Sequence, residues 1–403
     1  MASKKSDLFL FVPCVPLDTM PNGVCTYGRA VVDMFQGKKI KTTLVAKAVG
    51  PGFEKQMAFE YYLRYKSFFH RLVVRLLGIS AYEKLMAIRF SWFVKINSRH
   101  GARVVEMEEA FGHSLVVAKY TDAPVIVRLH GPWFINGRGQ RVAEDANFMN
   151  RVEAEGRAIY DADAVSAPSQ FVLSAVERYY NKEIKNKIVL ANPFPEFSEG
   201  MRWKFYENNT KVIFIGRFDN HKGGDVFIEA MFILKKRMKN VAPIFVGPDD
   251  GNITAKPSGK ISKREYIELL EDKYSIANPV MFMGRRKSDE VAGLRRDAAV
   301  CVIASRIEIL PYTVAESLAQ GVPTIGSRVG GIPEMIEHEK SGLLFDSENA
   351  GQLADCVQRI LSEPLLAQRL SSNALEDVAK RFSKSVLAEK YIDFYASVLN
   401  RAH

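Results

Sequence analysis

Two carboxylates, Glu308 and Glu316, are separated by seven residues and flank what reads as a helix start. Pro311 suits the first helical turn, where its missing N–H is not needed, and Gly321 suits the stop, so the spacing predicts a helix from about Tyr312 to Gln320. Glu308 then sits in the loop just before this helix, and Glu316 lies one turn inside it. The free N–H groups and positive dipole end of such a helix favour a phosphate, while carboxylates near them can accept hydrogen bonds from sugar hydroxyls. A diphosphate with sugars at both ends fits that pair of properties. Two surface glutamates that happen to flank a helix are the plain alternative, and they are the usual meaning of an isolated Glu-x7-Glu.

The surrounding residues narrow that choice. Gly321-Val322-Pro323 follows the helix, and then comes Gly330-Gly331-Ile332-Pro333-Glu334. Upstream, the run VIFIGRFDNHKGGDVFIEA takes a strand into Gly216-Arg217 and starts a helix after Lys222-Gly223. Arg217 can fork onto two phosphate oxygens and Lys222 can add a point charge. The stretch Ser305 to Phe345 resembles the donor-binding signature of family 4 retaining glycosyltransferases, with its two glutamates, its Gly-x-Pro turn and its Gly-Gly-x-x-Glu loop. The Arg217 and Lys222 segment is similar to that family's Gly-Arg and Lys-Gly motif. One departure stands out: the family often has Phe-Gly after the first glutamate, whereas this chain has Ile309-Leu310-Pro311, which implies a different shape around the sugar.

The resemblance implies a set of roles. Glu316 would hold the donor ribose and Glu308 the hydroxyls of the transferred sugar. Arg217, Lys222 and the helix N-terminus near Thr313 would stabilise charge on a leaving diphosphate without a metal or other cofactor. The leaving phosphate itself is expected to take the acceptor proton, because no second carboxylate is evident as a nucleophile, in contrast with retaining hydrolases. In the first half, PVIVRLHGPWF places His130 at a strand end before Gly131-Pro132, where the family has a histidine facing the transferred sugar. Gly23 follows the first strand at a turn where the family usually has two glycines, and Asn22 replaces the first of them; a glycine there lets the backbone approach the donor closely, with the next helix N-terminus facing a bound phosphate. Gly284 and Arg285, in Phe282-Met283-Gly284-Arg285, look like the family's glycine turn near the donor base, with Arg285 or Arg286 stacking on that base or else forming a solvated basic turn. The pair Asp161 and Asp163 has the D-x-D spacing of a metal site, but it precedes the apolar run Ala164 to Ala167 and is read as structural.

These residues need elements to carry them. A chain of 403 residues is too long for one ordinary core. Apolar runs rich in Val, Ile and Phe alternate with helix-like segments, which argues for an α/β fold of parallel sheets covered by helices. Strands are expected at Leu8 to Val12, Thr43 to Ala46, Arg103 to Glu106, Val125 to Leu129 and Ala164 to Ala167. In the second half they are expected at Lys211 to Ile215, Ala242 to Val246, Val280 to Met283, Val300 to Ala304 and Thr324 to Ser327. Asn192-Pro193-Phe194-Pro195 breaks the pattern and marks a boundary. The expected domains are 1–192, binding the acceptor, and 193–381, binding the nucleotide sugar. The resemblance implies GT-B architecture, two doubly wound Rossmann-like domains facing across a cleft, with a C-terminal helix in 382–403 crossing back to the first domain. Val386, Leu387, Tyr391, Phe394 and Leu399 give that helix an apolar face.

Composition bounds the partners. The net charge of +10 favours an anionic one. Cys14, Cys25, Cys301 and Cys356 are scattered with no metal spacing, as in a reduced cytoplasmic protein. No run is long and apolar enough for a bilayer span. From Glu60 to Asn97, Arg64, Arg71, Arg75 and Arg89 stand among aromatic and aliphatic residues, either as an ordinary amphipathic helix pair or as a face for an anionic membrane surface on the cytoplasmic side. The membrane alternative implies a glycan or lipid-linked hydroxyl acceptor, as in polysaccharide or lipopolysaccharide assembly. No nucleic-acid motif accompanies the charge. A GT-B epimerase or phosphorylase and a catalytically silent nucleotide-binding scaffold are the competing readings.

Overall fold

The computed structural model describes residues 7–15, 23–36, 38, 40, 42–49, 61–62, scattered positions between 75 and 95, 104–249, 251–255 and 259–401. The turn Asp18 to Asn22 and most of the basic aromatic segment 60–97 lie outside the described residues. The chain divides into two compact units, Met1–Pro193 with Lys384–His403, and Phe194–Ser383.

The first unit is built on β1 (Leu8–Val15), β2 (Thr42–Val49), β3 (Tyr61–Tyr62), β4 (Val104–Glu108), β5 (Val125–Arg128), β6 (Ala164–Ala167) and β7 (Lys187–Val189). They form one sheet in the order β3-β2-β1-β4-β5-β6-β7, with every neighbouring pair parallel. All residues of β5 and β6 are buried, the polar Arg128 and Ser166 included, as in parallel strands covered on both faces. Phe9, Val105, Met107, Val117 and Val125 pack together under this sheet.

The second unit carries β8 (Lys211–Ile215), β9 (Ala242–Val246), an antiparallel pair β10 (Asn252–Ala255) and β11 (Gly259–Ser262), then β12 (Met281–Phe282), β13 (Val300–Ile303), β14 (Thr324–Ser327) and β15 (Leu343–Phe345). The parallel sheet runs β12-β9-β8-β13-β14-β15. Phe214, Phe227 and Phe245 fill its centre, with the Phe214 and Phe245 rings 4.7 Å apart and all three fully buried. Each such ring contributes about 1.5–3 kcal/mol of burial.

In both sheets the order reverses beside the first strand, between β1 and β4 and between β8 and β13. Loops leaving the C-terminal ends of strands at such a reversal form the crevice where doubly wound sheets bind ligands. The strands foreseen from the sequence are present, most with ends displaced by one to three residues. Strands β3, β7, β15 and the hairpin β10–β11 were not foreseen, being too short for a period-two signal.

The helix Lys384–Arg401 belongs to the first unit. Leu387, Ala388, Tyr391, Phe394, Tyr395 and Val398 form its buried stripe. Val386 and Leu399, expected on that stripe, are half-buried, and Tyr395 and Val398 take their place on a face that repeats at i, i+4, i+7 and i+11 from Leu387. Tyr391 donates to the Ala191 carbonyl at 3.0 Å, and Tyr395 donates to the Glu106 carboxylate at 3.1 Å. Among the described residues no helix is long and apolar enough to cross a membrane.

Candidate functional site

The second unit assembles a site where β8 and β13 end. After β8 the chain passes through Gly216 and Arg217 to Lys222, and Gly223, in the left-handed region at φ +68°, opens the helix Gly224–Arg237. A Cβ on Gly223 would fall 1.9 Å from the Ala304 carbonyl oxygen, so only glycine lets this turn lie against the end of β13. Asp219 shapes the same loop by accepting from the backbone N–H groups of His221 (3.0 Å) and Lys222 (2.8 Å) while its other oxygen takes Arg217 Nε at 2.7 Å. Arg306 ties this loop to the one after β13, donating its N–H to the His221 carbonyl and its guanidinium to Asp225 at 3.0 and 2.7 Å.

Glu308 and Lys222 meet directly. Lys222 Nζ lies 2.6 Å from Glu308 Oε1, and Ser305 Oγ donates to the same oxygen at 2.8 Å. The Glu308 side chain is 8% exposed and that of Lys222 27%, so the pair sits at the rim of the protein interior. The Glu308 backbone is fixed too, because its carbonyl accepts from Gly331 N–H at 3.2 Å. Gly330, at φ +58°, comes so near that a Cβ would stand 1.7 Å from that carbonyl oxygen. Gly330→Ala is therefore expected to destabilise the second unit by about 2–5 kcal/mol, combining a left-handed alanine with overpacking against backbone. Chemical denaturation measures it, and a loss below about 0.5 kcal/mol, the level of an ordinary surface change, would mean that the loop is not held as described.

The helix Tyr312–Gln320 has the predicted bounds. Pro311 caps it rather than occupying its first turn, and Gly321 ends it at φ +74°. Thr313 and the half-buried Glu316 lie in its first two turns. Glu316 is held by Arg295, whose side chain is 1% exposed and whose other guanidinium nitrogen donates to Gln320 at 2.8 Å. Arg295 was missed from the sequence because the pair Arg295-Arg296 in the last turn of the helix Ser288–Arg296 reads as solvated, dipole-matched cations. Arg217, by contrast, is 62% exposed and free to turn to a ligand at the cost of its contact with Asp219. Gly284, at φ +64°, closes on Gly247 N–H through its carbonyl, and Arg285 beside it is exposed.

Gly23 and His130 belong to the first unit. Gly23 is the first residue of the helix Gly23–Phe35. His130 follows β5 and is half-buried. Burial and the neighbouring Arg128 push its imidazole down to about 3, so the ring is neutral at physiological pH. Asp163 does the structural work read from the sequence: its carboxylate accepts from Val125 N–H at 2.8 Å and aligns β5 with β6. Among the described residues no cluster of three or more His, Cys, Asp or Glu side chains is arranged to hold a metal ion. A cavity of about 250 Å³ lined by Thr210, Asn240 and Ala299 lies at the opposite, N-terminal edge of the second sheet, away from Glu308.

The chain is similar to known proteins in sequence and in fold. Residues 200–377 match the family described as Glycosyl transferases group 1. An uncharacterized glycosyltransferase of Methanocaldococcus jannaschii is 26% identical over 249 residues, covering 59% of this chain and 60% of that protein. A D-inositol 3-phosphate glycosyltransferase of Corynebacterium jeikeium is 28% identical over 48% of this chain and 45% of its own length. This chain thus spans about half to three-fifths of those relatives. Among solved structures, sucrose-phosphate synthase from Thermosynechococcus elongatus superposes with a TM-score of 0.70 over 98% of this chain and 99% of that one at 18% identity. An Anabaena protein, HepE, in complex with UDP superposes with a TM-score of 0.69 over 97% and 99% at 16% identity.

Proposed function

Residues 200–377 match the group 1 glycosyltransferases and the chain has the GT-B fold, and from that premise we propose that it moves a sugar from a nucleoside-diphosphate donor to a hydroxyl acceptor with retention at the anomeric carbon. The observation that carries the proposal is the Glu308 and Lys222 pair at the strand ends where β8 and β13 part. A carboxylate beside an ammonium group at the mouth of a helix N-terminus suits a polyhydroxyl group joined to a diphosphate. Lys222, Arg217 and the helix N-terminus at Thr313 stabilise the negative charge that grows on the diphosphate as the glycosidic bond loosens. That supply of positive charge is the basis for proposing a metal-independent reaction. Glu308 holds sugar hydroxyls through the oxygen left free by Lys222 and Ser305, and Glu316, one oxygen engaged by Arg295, offers the other to the ribose. His130, in the first unit, is a neutral imidazole able to donate one hydrogen bond and accept one, which suits a sugar hydroxyl. HepE, which has the same fold, was solved with UDP and with UDP-glucose, and that supports a nucleotide-sugar donor.

Calorimetric titration with UDP, GDP, ADP and their sugars tests the donor assignment. One nucleotide is expected to bind selectively, and Arg217→Ala to weaken it by about 10- to 100-fold, the 1.5–3 kcal/mol of a charged hydrogen bond. Failure of every nucleotide to bind, or equal binding by the variant, would overturn the proposed donor site.

A further inference from the structure

The loop that carries His130 is held by two buried carboxylates. Glu109, which follows β4 and is 3% exposed, accepts from the backbone N–H of His130 at 2.9 Å and, through its other oxygen, from that of Gly131 at 2.8 Å. Glu155, 1% exposed on the helix Ala146–Tyr160, accepts from Trp133 N–H at 2.6 Å. Arg151 pairs with Glu155 at 2.8 Å and is sandwiched between the Trp133 and Phe111 rings at 3.8 and 3.9 Å. Asn136 Nδ2 donates to the Gly131 carbonyl at 2.7 Å, and the Tyr27 ring meets the imidazole edge-on at 4.9 Å.

A buried carboxylate is costly, and a backbone N–H in a turn is satisfied as well by water or a carbonyl. Two successive N–H groups given to one carboxylate therefore call for a reason beyond satisfying the backbone. We propose that Glu109 is a positioning residue for the transfer reaction, aiming the His130 imidazole by gripping the two peptide groups that bracket it. The inference rests on the proposed transferase reading in assigning His130 to the sugar. It adds a carboxylate that no motif contains.

Burial, reinforced by the Glu155 charge, pushes the Glu109 carboxyl up to about 8, against the pull of the His130 N–H. The groups facing it are Glu155 on its helix, Glu108 on β4, Tyr180 on the helix Gln170–Tyr180 and His130 itself. An ionised Glu109 accepts with both oxygens, whereas a protonated one turns an acceptor into a donor and loosens one grip. The imidazole is then set fully as pH passes about 8.

The test reads the His130 Cε1–H resonance from pH 5 to 10 in wild type and Glu109→Gln, beside kcat and donor KM for both and for Glu109→Ala. The wild-type resonance is expected to inflect near pH 8 with kcat rising through the same point, and Glu109→Gln to lose both inflections. Glu109→Ala is expected to lower kcat by about 100-fold, the cost of a catalytic group misplaced by about an ångström. Glu109→Gln, retaining one acceptor, should recover part of it, with donor KM within about twofold of wild type in both, because the charged contacts to the donor's diphosphate are assigned to the other unit. An unchanged kcat in Glu109→Ala, or an inflection that persists in Glu109→Gln, overturns the proposal. Absence of transfer by the wild type with any donor would overturn the transferase reading instead, while the His130 resonance still decides the role of Glu109.

Discussion

Turnover of Glu308→Ala is expected to fall by about 10²- to 10³-fold, the loss that follows removal of one preorganised electrostatic contact. Nucleoside diphosphate affinity should change by less than about tenfold, or 1.4 kcal/mol. The asymmetry follows from the ion pair. Wild-type Glu308 occupies the Lys222 ammonium at 2.6 Å. Its removal takes away the contact to the sugar but releases Lys222 for phosphate, and the two effects on nucleotide affinity oppose one another. Lys222→Ala is the mirror case, since it loses phosphate contact and leaves a carboxylate with only Ser305 beside it. Calorimetry with the nucleotide and rate measurements with the nucleotide sugar separate the two. An equal fall in affinity and turnover for Glu308→Ala would show that Glu308 serves the fold of the loop rather than the reaction.

The second large effect concerns stability, in the first unit. Arg128→Met is expected to cost about 3–5 kcal/mol, the range for breaking a buried charge pair from one side. Arg128 is fully buried, donates to the Leu190 carbonyl at 2.7 Å and to Asn192 at 2.8 Å, and faces the Tyr27 ring at 4.7 Å. Its anionic neighbour is Glu106, 2% exposed, which accepts from Tyr27 at 2.5 Å and Tyr395 at 3.1 Å. Burial pushes the Glu106 carboxyl up, while Arg128 and the two tyrosine hydroxyls pull it back. Without Arg128 the carboxyl rises above its wild-type level, so the folded variant binds this proton more tightly than the folded wild type does. Its stability deficit relative to wild type should then grow as pH rises. Trp203→Phe leaves Trp92 and Trp133 as reporters of the first unit during urea unfolding. Adding Glu106→Gln should recover part of the loss. A deficit that is flat with pH, and not eased by the second substitution, would mean that Arg128 acts through packing alone.

What was legible in the sequence was local. Pro311 and Gly321 bracket a helix whose ends are fixed by backbone rules, and the bounds Tyr312–Gln320 followed from them. The strands leading to Arg217, His130 and Glu308 were legible because their apolar runs of three or four mostly β-branched and aromatic residues leave few other options. The partners of the site residues were not. Arg295 reaches Glu316 across 21 positions, and Asp219, Glu109 and Glu155 drew no reading because they follow no motif. Such contacts depend on which strands become neighbours, and a charge that ends up buried looks in sequence like one that ends up in water.

The helix Lys384–Arg401 also sets a timetable for synthesis. Tyr395 closes on Glu106 across 289 residues. At a translation rate of about 5–20 residues per second, roughly 15–60 s separate the two on a ribosome. All of the second unit, Phe194–Ser383, is made in that interval and can fold first. The first sheet waits with an acidic gap beside Tyr27, so the half of the molecule that begins the chain is the half that matures last.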